Sequence, residues 1–378
     1  MGTRRRHIAF YAPRAGTILT PSARPSGGAE VQVLHLARGL ARRGARVALV
    51  SYATPGLPST ADGIEVVTQR RGVRGPVPVR RAATLAATCA RLLRLDADVV
   101  VQRAAGGTTG LVALAARATR TRFVYSSAST VDFTFEPRAY GHATVALYDL
   151  GIRLADEVVV QTDEQAELCV RRFGRRPVVI RSVAERPPAE PAADGRDSTG
   201  FLWIGRLAGY KNPDALLDLA AAVPEAPFTM VCVPAEGDPP GIAAALAQRA
   251  ASLPNVRLLG PRPRTELLQD VARATAIVST SDYEGMPNTL LEGWSRGVPA
   301  LTLAHDPDGV IARERLGRFA GGSPAGLAQE ARALWGGRAG DGELRARCRA
   351  YVRAHHDPDV VIEQWARVLE LPPVGAAR

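Results

Sequence analysis

Short apolar, β-branched runs recur along this chain with helix-period segments between them, and the alternation is broken once. Strand-like runs fall at residues 8–11, 47–51, 99–102, 123–126, 158–161 and 178–180. Segments with helical spacing lie between several of them, such as 29–42, where Leu34, Ala37 and Leu40 are among the apolar positions. Strand, helix and strand in succession predict a mainly parallel sheet with helices on both faces. Residues 184–199 interrupt the pattern, because three prolines and few apolar side chains mark a linker. A second alternation follows, with strands at 200–204, 228–233, 256–259, 275–279 and 299–303. Its helices fall at 213–222, 240–251, 264–272 and 288–296. Three closing helices, near 324–335, 342–354 and 358–370, come without strands. The expected layout is two α/β domains, 1–183 and 200–357, joined by the linker 184–199.

Bulk composition narrows the function classes. At 378 residues the chain is long enough for two ordinary domains, and 46% hydrophobic residues supply their cores. A transmembrane helix needs about 18 consecutive apolar residues, and the chain has no such run. The basic first residues lead directly into the first strand without a signal-like apolar segment, which points to a cytoplasmic protein. Cys89, Cys169, Cys232 and Cys348 show neither metal-ligand nor disulfide spacing and read as small buried hydrophobes. The formal net charge of +11 raises nucleic acid as a partner. The arginines are spread over the whole length and no DNA- or RNA-binding module is recognisable, so no nucleic-acid partner is expected.

The densest chemistry lies at 284–299. Glu284 and Glu292 stand eight positions apart, with Gly285, Met286 and Pro287 between Glu284 and a helix-forming run. A proline fits a first helical turn, where its missing N–H costs nothing. Glu284 then stays in the loop and Glu292 projects from the second turn. The first amides of that helix, at Asn288, Thr289 and Leu290, point out of its end and form an anion site. A nucleotide sugar fits this layout: its diphosphate on the amides, a polyol near each carboxylate. A solvated helix face also carries Glu at this spacing, so the pair alone is weak.

A second element stands apart from it. Of 48 Lys plus Arg residues, a single one is lysine, Lys211. It follows Gly205 and Arg206, just beyond a strand and just before a helix at Pro213. The carboxyl end of a strand is where open α/β sheets bind ligands. A lone Lys among arginines suggests that a compact point charge is wanted there.

The whole run 284–299, with its helix stop at Gly297-Val298-Pro299, resembles the E-x7-E motif of retaining, GT-B-fold glycosyltransferases of family 4, the group 1 glycosyl transferases. The Gly205-Arg206…Lys211 element matches the same family, and so does Gly27-Gly28-Ala29-Glu30 at the start of the first helix. The resemblance implies two Rossmann-like domains facing across a cleft, with the last helix, 358–370, crossing back to the first. The first domain would take the acceptor and the second the donor. It implies that Arg206 and Lys211 grip the donor diphosphate, Glu284 holds hydroxyls of the donor sugar and Glu292 those of the ribose. Gly27, Gly28, Met286, Pro287, Asn288, Thr289 and Leu290 would line the donor.

The reaction implied is sugar transfer from a nucleoside diphosphate to a hydroxyl acceptor, with retention and without a cofactor. Surface glycan, glycolipid or secondary-metabolite glycosylation is the expected setting. No metal is expected. Asp96 and Asp98 precede the strand 99–102 and so lie at its amino end, while Asp306 and Asp308 read as turn residues. The family's usual His near the donor sugar is missing, and Ser127, Ser129 or Asp132 would stand in for it. The competing readings are a nucleotide-sugar epimerase or hydrolase on the same fold and a non-catalytic basic binding protein. Residues 80–95 form a basic amphipathic helix pattern, with Ala82, Leu85, Ala86, Cys89, Leu92 and Leu93 on one face. That face either packs on the sheet or docks on anionic lipid at the inner membrane face, where the acceptor would be lipid-linked.

Overall fold

A computed structural model of the chain describes residues 5–20, 27–70, 75–134, 141–187, 198–233, 241–337 and 342–373. The chain divides into two compact units, Met1–Val183 with Pro358–Arg378, and Ala184–Asp357.

The first unit is built on an eight-stranded sheet. Its strands are β1 (His7–Tyr11), β2 (Arg46–Tyr52), β3 (Thr60–Ala61), β4 (Ile64–Gln69), β5 (Val99–Arg103), β6 (Arg122–Ser126), β7 (Glu157–Val160) and β8 (Val178–Val179). They lie in the order β3-β4-β2-β1-β5-β6-β7-β8, parallel except for the β3–β4 hairpin. Alternate residues of each central strand feed opposite cores. Ala9, Ala48 and Val100 enter one, and Ile8, Phe10, Val47, Leu49, Val99 and Val101 enter the other. A parallel sheet covered on both faces needs apolar side chains at every position, hence its continuous apolar runs.

The last helix, Pro358–Val368, belongs to this unit although it is farthest along the chain. Val361, Ile362 and Trp365 are buried with Leu34, Ala37 and Leu40 of helix Gly28–Arg42. Gly39 makes the approach possible: a Cβ there would lie 2.4 Å from Ile362 Cδ1. Arg43 closes the contact by giving Nε and Nη2 to the two Glu363 oxygens at 2.6 and 3.0 Å.

The second unit carries β9 (Phe201–Arg206), β10 (Phe228–Val233), β11 (Val256–Leu259), β12 (Ala276–Ser279), β13 (Ala300–Thr302) and β14 (Gly317–Phe319). They form an all-parallel sheet in the order β11-β10-β9-β12-β13-β14. Apart from the β3–β4 hairpin, the order in both units runs down to the first strand and then up again. The reversal falls between β1 and β5 in the first unit and between β9 and β12 in the second. Such a reversal opens a crevice beyond the strand ends, because successive connections leave on opposite faces there.

The sheets differ from the sequence reading at their margins. β3, β4 and β14 are additional, β14 lying between the expected strand 299–303 and the first closing helix. β14 lacks an apolar run and sits at an edge, where its Gly317 allows close approach: a Cβ would lie 2.0 Å from Ala300 O. Helix Val77–Leu95 starts three residues before the expected 80 and packs through Leu85, Thr88, Leu92 and Leu95. Ala82, Ala86 and Leu93, expected on the same face as Leu85 and Leu92, are exposed, so the expected face is divided along its length.

Ile362→Ala is expected to cost about 2–5 kcal/mol, the usual range for emptying a buried aliphatic site. Hydrogen exchange would show helices Gly28–Arg42 and Pro358–Val368 losing protection together while the second unit is unchanged. Unchanged protection in Gly28–Arg42 would refute this account of the last helix.

Candidate active site

The reversal point of the second unit brings two loops together. β9 ends on Arg206, and its loop runs through the short turn Gly209–Lys211 to Asn212, in left-handed conformation, and helix Pro213–Ala222. Gly205 permits this because a Cβ would lie 2.6 Å from the Trp203 indole. The loop after β12 is stitched to it. Trp203 Nε1 donates to Thr280 Oγ1 at 3.0 Å, Thr280 Oγ1 donates to the Lys211 carbonyl at 2.7 Å, and Asp282 N donates to Tyr210 O at 2.9 Å.

This stitching sets three charges. Lys211 Nζ is ion-paired directly with Glu284 Oε1, which also accepts from Ser281 Oγ at 2.9 Å. Both charged side chains are largely buried, at 20% and 15% exposure. Arg206 is exposed and donates from Nη2 to Tyr210 OH at 2.9 Å. The Tyr210 ring stacks on Tyr283 at 5.0 Å and 14°, and its centroid is 5.4 Å from Lys211 Nζ. Arg206, Tyr210, Lys211 and Glu284 thus form one contiguous set, with a cation–π contact between its lysine and tyrosine. Tyr210 and Tyr283 were not among the sequence candidates, although each directly precedes one of them.

Helix Asn288–Ser295 begins one residue after Pro287, which is its N-cap and not its first helical residue. The Leu290 amide donates to Pro287 O at 3.2 Å. It is therefore committed, and the Leu290 amide drops out of the expected anion site at 288–290. Met286 and Leu290 are core residues, so their side chains hold the loop and helix in place. His305 Nε2 lies 3.2 Å from Gly285 O.

Glu292 is buried and faces a guanidinium: Arg264 Nη1 lies 3.0 Å from Oε1, while Arg264 Nη2 donates to Glu185 Oε2 at 2.6 Å. Burial pushes the Glu292 carboxyl up, and the Arg264 charge opposes that. Nothing in the sequence pattern marks Arg264 as the partner of Glu292.

The decoy carboxylates have other work. Asp306 accepts from Ile311 N at 2.8 Å and Ala312 N at 3.1 Å, capping helix Val310–Arg313. Asp308 is in left-handed conformation in the turn before that helix. Asp98 accepts from His7 N at 2.7 Å at the amino ends of the strands, and Asp96 caps the end of helix Val77–Leu95. Among the described residues no group of three or more His, Cys, Asp or Glu is placed to hold a metal.

In the first unit Gly27 is the N-cap of helix Gly28–Arg42, whose first residue is Gly28. Ser127 and Asp132 are buried. The Asp132 carboxylate braces loops, accepting from Ala128 N at 2.7 Å, Tyr125 OH at 3.0 Å and Ala105 N at 3.4 Å. Ser127 Oγ donates to Ser129 O at 3.2 Å.

Comparison with known proteins agrees with this architecture. Residues 27–184 match the glycosyl transferase 4-like domain and residues 198–336 match the glycosyl transferases group 1 domain. The D-inositol 3-phosphate glycosyltransferase of Kribbella flavida is 25% identical over 338 residues, 79% of this chain and 80% of that protein. Its counterpart in Corynebacterium aurimucosum is 26% identical over 79% of each chain. Among solved structures, sucrose-phosphate synthase from Thermosynechococcus elongatus superposes with a TM-score of 0.77 at 17% identity, covering 97% of this chain and 98% of its own. Anabaena HepE, solved in complex with UDP and glucose, gives 0.72 at 16% identity, covering 97% and 100%. The chain belongs to the group 1 glycosyl transferases and has their GT-B fold, two parallel-sheet Rossmann-like domains.

Glu292→Leu removes the carboxylate that faces Arg264 and leaves that guanidinium with Glu185 alone. Removing one partner of a buried pair costs about 3–5 kcal/mol, and the partial exposure of Arg264 argues for the lower end. The double variant Glu292→Leu/Arg264→Met should recover much of the loss. Urea unfolding of these two variants and of Arg264→Met measures this, and strictly additive losses would contradict the coupling.

Proposed function

We propose that the chain transfers a sugar from a nucleoside diphosphate donor to a hydroxyl acceptor, with retention at the anomeric carbon and without a metal. The observation that carries the proposal is the Arg206–Tyr210–Lys211–Glu284 set at the reversal point of the second unit. Family membership supports the transfer, and the nucleotide in HepE supports the donor class. As the glycosidic bond breaks, charge grows on the leaving diphosphate. Fixed cations already aimed at that charge stabilise it without reorganisation. Lys211 supplies a point charge and Arg206 a fork of donors, while Tyr210 holds the fork in place. Glu284, freed from part of its bond to Lys211 by the incoming phosphates, holds hydroxyls of the donor sugar. Glu292 takes the ribose hydroxyls by exchanging with Arg264. The departing phosphate oxygen accepts the acceptor proton, so no protein base is required. Two cations at the diphosphate do the work that Mg²⁺ does in metal-dependent transferases.

Turnover with a confirmed donor should fall about a hundredfold or more in Lys211→Ala and in Arg206→Ala, the scale for losing one preorganised donor. Lys211→Arg should rescue only in part. The wild type should keep its rate in EDTA. Wild-type turnover in Lys211→Ala would remove the diphosphate assignment, and EDTA inactivation reversed by Mg²⁺ or Mn²⁺ would remove the metal-independent one. Incubating donor without acceptor separates transfer from epimerisation or hydrolysis.

A specific surface supports a place for this reaction at the cytoplasmic face of an anionic membrane, with a lipid-linked acceptor. Val79, Ala82, Ala86, Ala90 and Leu93 of helix Val77–Leu95 are all exposed along one stripe. Arg80 and Arg94 are exposed on the same helix, which contains no acidic residue. Among the described residues no helix is long and apolar enough to cross a membrane, so the contact would be peripheral. Phosphatidylglycerol vesicles should co-sediment the protein, less at physiological salt than at low salt, and Leu93→Asp should weaken binding. No pelleting at either salt would sink the membrane reading.

A further inference from the structure

The segment that carries Glu284 is held from two sides. On one side, Lys211 and Ser281 hold its carboxylate. On the other, the ring of His305 meets the carbonyl of the next residue, Gly285, with Nε2 at 3.2 Å from the oxygen. A carbonyl oxygen only accepts, so the nitrogen that faces it carries the proton and donates.

His305 reaches this place from the neighbouring strand. It stands three residues past the end of β13, and β13 pairs with β12, whose own loop leads to Glu284. Its backbone is fixed on both sides. Leu303 N donates to Ser279 O at 2.9 Å, and the carboxylate of Asp306 accepts from Ile311 N and Ala312 N. The ring is half-buried, and Gly285, Met286 and Pro287 are buried. The far end of the segment is pinned separately. Met286 enters the core, and Pro287 O accepts from Leu290 N at 3.2 Å and Leu291 N at 3.3 Å. Between the pins lies the Gly285–Met286 peptide, which glycine leaves freest to turn. A trans peptide directs its C=O and N–H to opposite sides, so a bond to the carbonyl also fixes the direction of the Met286 amide.

This tether is independent of Lys211. In the proposed reaction the diphosphate takes the lysine away from Glu284 and leaves the carboxylate with Ser281. The segment would loosen at the moment when it has to hold sugar hydroxyls, unless a second anchor remains. We propose that His305 is that anchor: a positioning residue for the sugar half of the donor, acting through the Gly285–Met286 peptide on Glu284. This rests on the transferase reading above and deepens it. Lys211 and Arg206 are held by other contacts, to Thr280 and Tyr210, so diphosphate binding does not depend on His305.

The test measures the affinities of UDP and UDP-glucose for the full chain by calorimetry. His305→Phe keeps a ring and loses the donor. Its affinity for UDP-glucose should fall about tenfold relative to its affinity for UDP, since misplacement by about 1 Å costs up to about a hundredfold in rate. UDP binding itself should be unchanged. His305→Gln, whose amide N–H falls close to the position of Nε2, should restore most of the ratio. A histidine that only stabilises the fold would weaken both compounds alike and gain nothing from Gln over Phe, and that result overturns the proposal. The ring also reports directly. Its 15N NMR signals in the wild type, identified by their loss in His305→Gln, should show a proton on Nε2, and a proton on Nδ1 alone overturns the proposal even if His305→Phe fails to fold. A wild type that binds neither compound would sink the donor reading. UDP binding with an unchanged ratio in His305→Phe would sink the role of His305 alone.

Discussion

The ion pair between Lys211 and Glu284 is the contact on which the rest of the candidate site depends. It joins loops 73 residues apart in the chain and exists because β9 and β12 are neighbours at the reversal of strand order. Two unit charges 4 Å apart attract by about 4 kcal/mol at an effective dielectric of 20, and desolvation of a part-buried pair takes back much of that. The pair therefore contributes less to stability than to placement. It holds the lysine at the mouth of the sheet with its charge balanced, and it holds a carboxylate ready beside it. In the proposed reaction an arriving diphosphate would offer the lysine a stronger partner and release the carboxylate for hydroxyls.

Both units repeat this logic of placement. Right-handed crossovers in opposite directions from a first strand leave one crevice per sheet, and each sheet puts an arginine at it. Arg206 is exposed and donates to the Tyr210 hydroxyl. Arg103 is enclosed and held on both terminal nitrogens. The difference follows from the loops. The one after β9 turns outward through Gly209–Lys211, whereas the one after β5 folds back under Asp132.

Much of the fold was legible because doubly covered parallel strands read as continuous apolar runs, as at 47–51 and 99–102. β4 was not, because Ile64–Gln69 alternates buried and part-buried positions and so lacks such a run. β14 was not, because three residues at a sheet edge leave almost no pattern. In the site, Lys211 was legible by its rarity and Glu284 by its motif. The tie between them was not: Thr280 reaches Lys211 across 69 positions, and only the strand order brings them together. Helix Val77–Leu95 shows the limit of periodicity. Its spacing marks a single apolar face, and the packing beneath decides that Leu92 goes in and Leu93 stays out.

The central claim is that Lys211 and Arg206 hold a nucleoside diphosphate at the crevice beyond β9 and β12. A crystal structure of the full chain with UDP tests it most directly. Diphosphate oxygens are expected within about 2.7–3.2 Å of Lys211 Nζ and of the Arg206 guanidinium, with Glu284 turned from the lysine toward the sugar side. UDP bound with its diphosphate away from both cations and the Lys211–Glu284 pair undisturbed would contradict it.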